Sequence, residues 1–533
     1  MTATVAAARA TPKPGARRGK FLYRAALGLV LLAAAGLRFD GLDWGRPFTY
    51  HPDEHSVVHA ALNMVREGDP NPHWFRYPSL LLYLEAILVA GLQPWVQADL
   101  RTAPEVTGLG PWDVAPHQFP FVLAGRTLVA VFGLASVYAT ARLAGAAVSP
   151  AAALLAAALL AASPLHVESS HYLTTDVPAM FWIVLALLVA LTRTSTSGWA
   201  VSGAAAGLAA ATKYPAGMVL LMPVGVSLYE RRWSSLAAVL AAFALAFTVT
   251  SPFVWLDFST FLSDLRAQRA HYASGVASAG ENLVKYGLAL VLYALGPWAS
   301  VLAAAGVAAA WLQRRVSRSL AVVLVALPLA YVGYISTWPL RFERNLMPVM
   351  PFVCLWAAVG WEALRAGLGH LSRRTAGALA AALALLALAQ PVRSSLELRQ
   401  RWHLPDTRTL AYQWVEDHLP RGSHIVREEY TPQVDGKTYR VTFVQVAGTR
   451  PYSWYLSEKV DYLILSSNIY DRFRGSSPQA AAIAQFYEFV FGSLPLLAEF
   501  TPGAGRAGPT IRIYEIPRWR DEGEARHRGR EHG

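Results

Sequence analysis

The sequence predicts a polytopic α-helical membrane protein of about 11 transmembrane helices, with a small mixed α/β domain at the C-terminal end. Three observations predict it. Of 533 residues 54% are apolar and only 15% charged, where a soluble domain carries nearer a quarter charged. Apolar runs recur at about the 20-residue length a helix needs to cross hydrocarbon. Short arginine clusters separate alternate pairs of these runs, and such clusters stay on the cytoplasmic side. The net charge of +12 is therefore a topology signal spread over short loops, and no nucleic-acid partner is expected. The single cysteine, Cys354, excludes an intrachain disulfide.

A basic segment, residues 1–20, precedes the first span at about Phe21 to Phe39. It lacks a convincing cleavage site and further spans follow, so it reads as an anchor and not a leader. Residues 40–119 then form an outer segment. In it Pro52 suits the first position of a helix, and Val57, Val58, Ala61, Leu62 and Val65 recur at helical spacing until Gly68. The run Leu80–Leu92 is short for a span and reads as an interfacial or re-entrant helix.

The second span is about Phe121–Leu143, the third Ala147–Ser163, the fourth Pro178–Leu191 and the fifth Trp199–Thr212. The sixth descends to Arg231 and Arg232, and the seventh rises to Ser251. After an outer loop at about 255–284, the eighth reaches Arg314–Arg318, the ninth Thr337, the tenth Arg365 and the eleventh Gln390. In this register the N-terminus, Arg142, Arg193, Arg231/Arg232, Arg314–Arg318 and Arg373/Arg374 all lie inside. A shift by one span would send half of them out.

Residues 21–391 thus form the membrane domain. From 392 to 517 the pattern changes: Asp406-Thr407 caps a helix, strand-like runs occur at 424–430, 439–446, 460–466 and 510–516, and a helix lies around 478–492. The charged tail 518–533 reads as disordered.

Polar residues gather at the outer ends of the spans. Asp53 and Glu54 follow His51-Pro52 just past the first span, where two carboxylates meet lipid headgroups. The plain alternative is that they complement the macrodipole or cap the helix. His166, Glu168, His171 and Asp176 lie between the third and fourth spans, Lys213 ends the fifth, His271 lies in the long loop, and Arg341 and Arg344 precede the tenth. Asp176 also suits a helix N-cap, and isolated cations near helix ends also snorkel to lipid phosphate. His55 and His59 share a helix face at a spacing suited to metal, without an evident third ligand. Tyr452, Trp454 and Tyr455 suit sugar stacking or core packing equally.

Tyr50-His51-Pro52-Asp53-Glu54 resembles the signature of the polyprenyl-phosphate-sugar-dependent membrane glycosyltransferases, which have the GT-C fold and include protein O-mannosyltransferases and lipid A aminoarabinose transferases. Arg76-Tyr77-Pro78-Ser79-Leu80, Ser163-Pro164 with Thr175-Asp176-Val177-Pro178, Ala211-Thr212-Lys213-Tyr214 and Arg344-Asn345-Leu346-Met347-Pro348 follow in that family's order. The resemblance implies sugar transfer from a polyprenyl-phosphate donor to an acceptor hydroxyl of protein, lipid or glycan, at the outer face of the cell membrane. It implies Asp53 as the carboxylate serving the acceptor, Glu54 as its support and Asp176 as a second acid. Lys213 and Arg344, with Arg341 and Arg76, would hold the donor phosphate, and His51, Tyr77, His171 and His271 would line the cavity. Some relatives carry Glu-Lys-Pro where this chain has Arg76-Tyr77-Pro78, so a metal-ligating carboxylate is absent there; no cofactor is assigned and a divalent metal ion stays open. The competing class is a transporter or flippase for a lipid-linked sugar. That class needs charges in mid-span or paired broken helices, whereas here the charges sit at the outer ends.

Overall fold

The computed structural model describes residues 14–517 except 103–108, 112, 193–194, 276, 314–317, 474–477 and 504. The tail 518–533, the first thirteen residues, Arg193 and the arginines of 314–317 lie outside the described residues. The chain forms two compact units. One comprises residues up to 40, 73–81 and 126–398; the other comprises 41–72, 82–125 and the chain from 399.

The helices, in chain order, begin with α1 (Pro14–Phe39), α2 (Pro52–Glu67), α3 (Ser79–Val96), α4 (Phe119–Gly145), α5 (Pro150–Ala162), α6 (Pro164–Ser169), α7 (Asp176–Thr192) and α8 (Thr196–Thr212). There follow α9 (Leu221–Tyr229), α10 (Trp233–Thr250), α11 (Phe253–Leu256), α12 (Phe258–Ala273), α13 (Ala279–Leu288), α14 (Pro297–Gln313), α15 (Arg318–Ser336), α16 (Met350–Gly367) and α17 (Arg373–Trp402). Among the described residues six helices are long and apolar enough to cross a membrane. A seventh appears if Ala279–Ala294 and Pro297–Ala310, bent by 114°, count as one. Several of the expected crossings are shorter: α5 has 13 residues, and α7 and α8 have 17 each. Proline explains where they stop. Pro150, Pro164 and Pro297 each open a helix, because proline fits a first turn but cannot continue one. The run expected as a short interfacial helix is an 18-residue helix, α3, which meets the length of a span.

Within the first unit, glycine sets how closely helices approach. A Cβ on Gly203 would overlap the Val239 carbonyl of α10, and one on Gly360 of α16 would overlap the Leu302 carbonyl of α14. Gly306 meets the Trp356 carbonyl in the same reciprocal way. Such small-residue contacts hold apolar helices together where the hydrophobic effect between them is weak.

The second unit is built on a five-stranded sheet of order β2-β1-β3-β5-β4. Its strands are β1 (His424–Glu428), β2 (Arg440–Val444), β3 (Tyr462–Ser466), β4 (Leu496–Phe500) and β5 (Ile511–Glu515). β1 pairs in parallel with β2 and β3, and β5 antiparallel with β3 and β4. Successive residues face opposite sides. Ile425, Ile464 and Ile513 pack under the helix Thr407–His418 (α18), while Val426, Leu463 and Tyr514 pack with Tyr455 and Tyr487 on the other face. Glu428 is buried there, accepting hydrogen bonds from Ser466 N (2.7 Å), Ala447 N (3.1 Å) and Tyr487 OH (2.7 Å). Burial pushes its carboxyl up to about 8, against the pull of those donors.

Candidate active site

In the first unit, Asp176 opens α7 and is 3% exposed. Lys213 follows the last turn of α8 in extended backbone, which turns its side chain away from the helix. Its Nζ donates to Asp176 Oδ1 at 2.5 Å and to Asn345 Oδ1 at 3.1 Å. Arg344, in the tight turn Glu343–Val349, brings Nε to 3.9 Å from Asp176 Oδ2. Asn345 in turn donates to Tyr286 OH at 3.4 Å. The Asp176 carboxylate is thus committed to Lys213 and not to capping its own helix. Two cations face one carboxylate, a net positive charge of one in a half-buried setting suited to a phosphate.

Not all the expected residues join this group. Arg341 pairs with Glu343 at 2.5 Å. His171 lies between two backbone carbonyls, Val167 O at 2.9 Å and Asp40 O at 3.0 Å. His271 is exposed near the end of α12, but its ring meets Tyr272, whose ring meets Phe342, and Arg344 lies 4.6 Å over Phe342. Arg76 is exposed, and Tyr77 packs edge-on against Trp74. The residue before Arg76 is clamped: Phe75 N donates to Asp264 at 2.6 Å, and Phe75 O accepts from Tyr214 OH at 3.1 Å. That clamp ties the Arg76 segment to the residue following Lys213. Asp264 was invisible to pattern reasoning because it lies 189 positions from its partner.

In the second unit, His51 is the cap of α2, its Nδ1 accepting from Asp53 N at 3.3 Å. Pro52 then takes the first helical position, and Asp53 stands in the first turn. Glu54 is fully buried, and Glu85 of α3 lies within its electrostatic reach. Burial pushes His55 down to about 3 and His59 to about 4, so both are neutral imidazoles at physiological pH.

A small cavity in this unit is lined by Pro52, His55, Arg408, Arg427, Glu429 and Tyr430. Tyr430 has φ of 61°, a left-handed conformation that a bulky side chain rarely adopts. Its hydroxyl is raised by burial first, then by Glu429, with Asp53 adding to the effect. Arg408 lies 3.8 Å over the Tyr50 ring and donates to Tyr50 O at 3.2 Å, while Asp406 holds its guanidinium at 2.7 and 2.8 Å. Arg427 pairs with Asp113. None of these contacts was legible locally, and only the backbone strain at Tyr430 marks the place.

Among the described residues no group of three or more His, Cys, Asp or Glu could hold a metal ion.

The sequence profile of the dolichyl-phosphate-mannose-protein mannosyltransferases matches residues 122–256, the stretch that contains Asp176 and Lys213. No curated protein matches the chain in sequence. ArnT from Cupriavidus metallidurans in the apo state superposes with a TM-score of 0.54 at 15% identity, over 94% of this chain and 98% of that one. The fold is the GT-C fold. Archaeal oligosaccharyltransferase AglB from Archaeoglobus fulgidus, solved with an inhibitory peptide and a dolichol-phosphate, gives 0.53 at 12% identity, over 94% of this GT-C chain and 75% of its own. ArnT bound to undecaprenyl phosphate gives 0.52 at 15% identity, over 93% and 98%. Both relatives span the membrane unit and the C-terminal sheet of this chain.

Proposed function

We propose that the chain is an integral-membrane glycosyltransferase that moves a sugar from a polyprenyl-phosphate donor to an acceptor hydroxyl at the extracytoplasmic face of the cell membrane. One observation carries the reading: Lys213 and Arg344 converge on a buried carboxylate at the ends of the helices where the chain matches the mannosyltransferase profile. The dolichol-phosphate and undecaprenyl phosphate of the structurally similar proteins support a lipid-phosphate donor.

The anomeric C1–O bond of the donor breaks, and negative charge grows on the departing lipid phosphate. Lys213 and Arg344 offset it, while Asp176 and Asn345 hold the Lys213 ammonium in place. The acceptor oxygen attacks C1 as it gains oxocarbenium character, and Asp53 takes the acceptor proton, with Glu54 as its neighbour. His51 caps α2 beside it. Arg76 and Tyr77, fixed by the Phe75 clamp, flank the donor. Arg341, His171 and His271 act one contact further out.

The eleven-crossing topology belongs to the same proposal. The short helices α5, α7 and α8 would cross as members of a bundle, whose neighbours cover their ends. The experiment is transfer in vitro from a panel of polyprenyl-phosphate hexoses and pentoses, with products identified by mass spectrometry. Consumption of one or more donors with release of polyprenyl phosphate is expected; intact donors throughout would overturn the proposal.

A further inference from the structure

A second polar cavity, of about 840 Å3, lies in the first unit at the far end of its helices. It is lined by Lys20, Tyr23 and Arg24 of α1, Tyr138 and Arg142 of α4, and Leu188 of α7. α7 separates it from the Asp176 group. Thr192, also in the lining, is 16 residues beyond Asp176, and at 1.5 Å per residue the two lie about 24 Å apart along the helix. This cavity is therefore not the donor-phosphate site.

Its chemistry is one-sided. Three cations line it, and no carboxylate is among its described lining residues. Arg142 is held in place, with Nη1 donating to Tyr138 OH at 3.0 Å and its guanidinium 5.9 Å over the Tyr138 ring. The floor is apolar: Leu27 is buried, and Leu188 and Val189 are half-buried. That combination of cations over an apolar floor describes a phosphate headgroup with hydrocarbon attached. A free phosphate has no use for the apolar floor. A headgroup carrying its own ammonium would be repelled by three cations with no carboxylate to receive it.

We propose that this cavity is a binding site for the phosphate of an anionic membrane phospholipid, in the leaflet opposite the transfer site. Lys20, Arg24 and Arg142 hold the phosphate, and the acyl chains leave along the apolar floor past Leu188 and Val189. The proposal stands apart from the transferase reading, since lipid retention is measured without donor or acceptor.

The test is native mass spectrometry of the full-length protein in detergent, with phosphatidylglycerol and phosphatidylcholine supplied at equal concentration. Wild type should retain phosphatidylglycerol over phosphatidylcholine by about tenfold or more, because the choline ammonium meets three cations with no carboxylate to offset it. The K20Q/R24Q/R142Q variant should lose that preference. Because removing three cations can also disturb insertion, Leu188→Trp crowds the apolar floor of the cavity and keeps every charge; it should weaken the same preference and melt within a few degrees of wild type. Equal retention of the two lipids by wild type, or undiminished phosphatidylglycerol on Leu188→Trp, would overturn the proposal. Displacement of the lipid by millimolar inorganic phosphate would reassign the cavity to a free anion and equally overturn it.

Discussion

Replacing Lys213 by methionine separates its structural from its chemical role. Lys213 and Asp176 are 12% and 3% exposed and 2.5 Å apart. Removing one partner of a buried ion pair costs about 3–5 kcal/mol, because the other charge stays buried. Here Arg344 remains 3.9 Å from the Asp176 carboxylate and offsets part of the loss. Lys213→Met should therefore cost about 2–3 kcal/mol of stability. Asp176→Asn should cost a similar amount, since it leaves Lys213 and Arg344 as two cations without their shared carboxylate, offset in part by Asn345 and by solvent. The double variant leaves no uncompensated pair, so its loss should fall about 2 kcal/mol short of the sum of the singles. Donor use should behave differently. Loss of a charge-assisted phosphate hydrogen bond of about 1.5–3 kcal/mol lowers kcat/KM roughly 10- to 150-fold, and the double variant should not recover it. The assays are thermal unfolding in detergent and initial rates of transfer at subsaturating donor. Additive stability losses, or donor use restored along with stability, would refute the assignment and leave Lys213 as a structural ion-pair partner.

Acid should weaken the second unit through His55 and His59. Their folded values, about 3 and about 4, lie below the usual 6.5. The unfolded chain therefore binds more protons between those limits, and stability falls as pH drops below 6.5, by about 2 kcal/mol per histidine at pH 5. His55→Asn should flatten that slope in pH-dependent melting; an unchanged slope would remove His55 as its source. Gly360→Val should destabilise the protein by about 1–3 kcal/mol or more and lower its melting temperature, because its side chain would overlap the Leu302 carbonyl. Gly367→Ala, which meets nothing within 4 Å, should be close to neutral in the same scan. In a Cys354→Ala background, cysteines at Ala279 and Asn468 should react with an impermeant thiol reagent in intact cells and one at Ser197 should not. The reverse pattern would invert the topology.

Composition and the arginine clusters made the membrane class and the C-terminal mixed domain legible, because both depend on bulk hydrophobicity and period. Helix ends were less so. Alanine-rich runs are apolar on every side, and only proline and the tertiary packing decide that α5 stops at 13 residues. β4 was missed because Leu496-Leu497-Ala498-Glu499-Phe500 continues the apolar pattern of the preceding helix and forms the sheet's last strand. At the site, Asp176, Lys213 and Arg344 were readable as ionisable groups at helix ends, and the structure brings these three together. Asp53 was readable with an ambiguity between capping and chemistry; in the structure His51 holds the cap position and Asp53 the first turn. Arg408, Arg427, Asp113 and Asp264 were not readable, since each acquires meaning only from partners brought near by the fold. Tyr430 carries no sequence signal for its positive φ.

The most direct test of the account is single-turnover transfer with Asp53→Asn, using whichever polyprenyl-phosphate sugar the wild type consumes. His51, and not Asp53, caps α2, so the variant should fold, melt near wild type and bind donor unchanged. Its rate should fall by roughly 100-fold or more, the scale of general-base catalysis, with the deficit in turnover and not in donor KM. A stable Asp53→Asn protein that transfers sugar at near the wild-type rate would contradict the account.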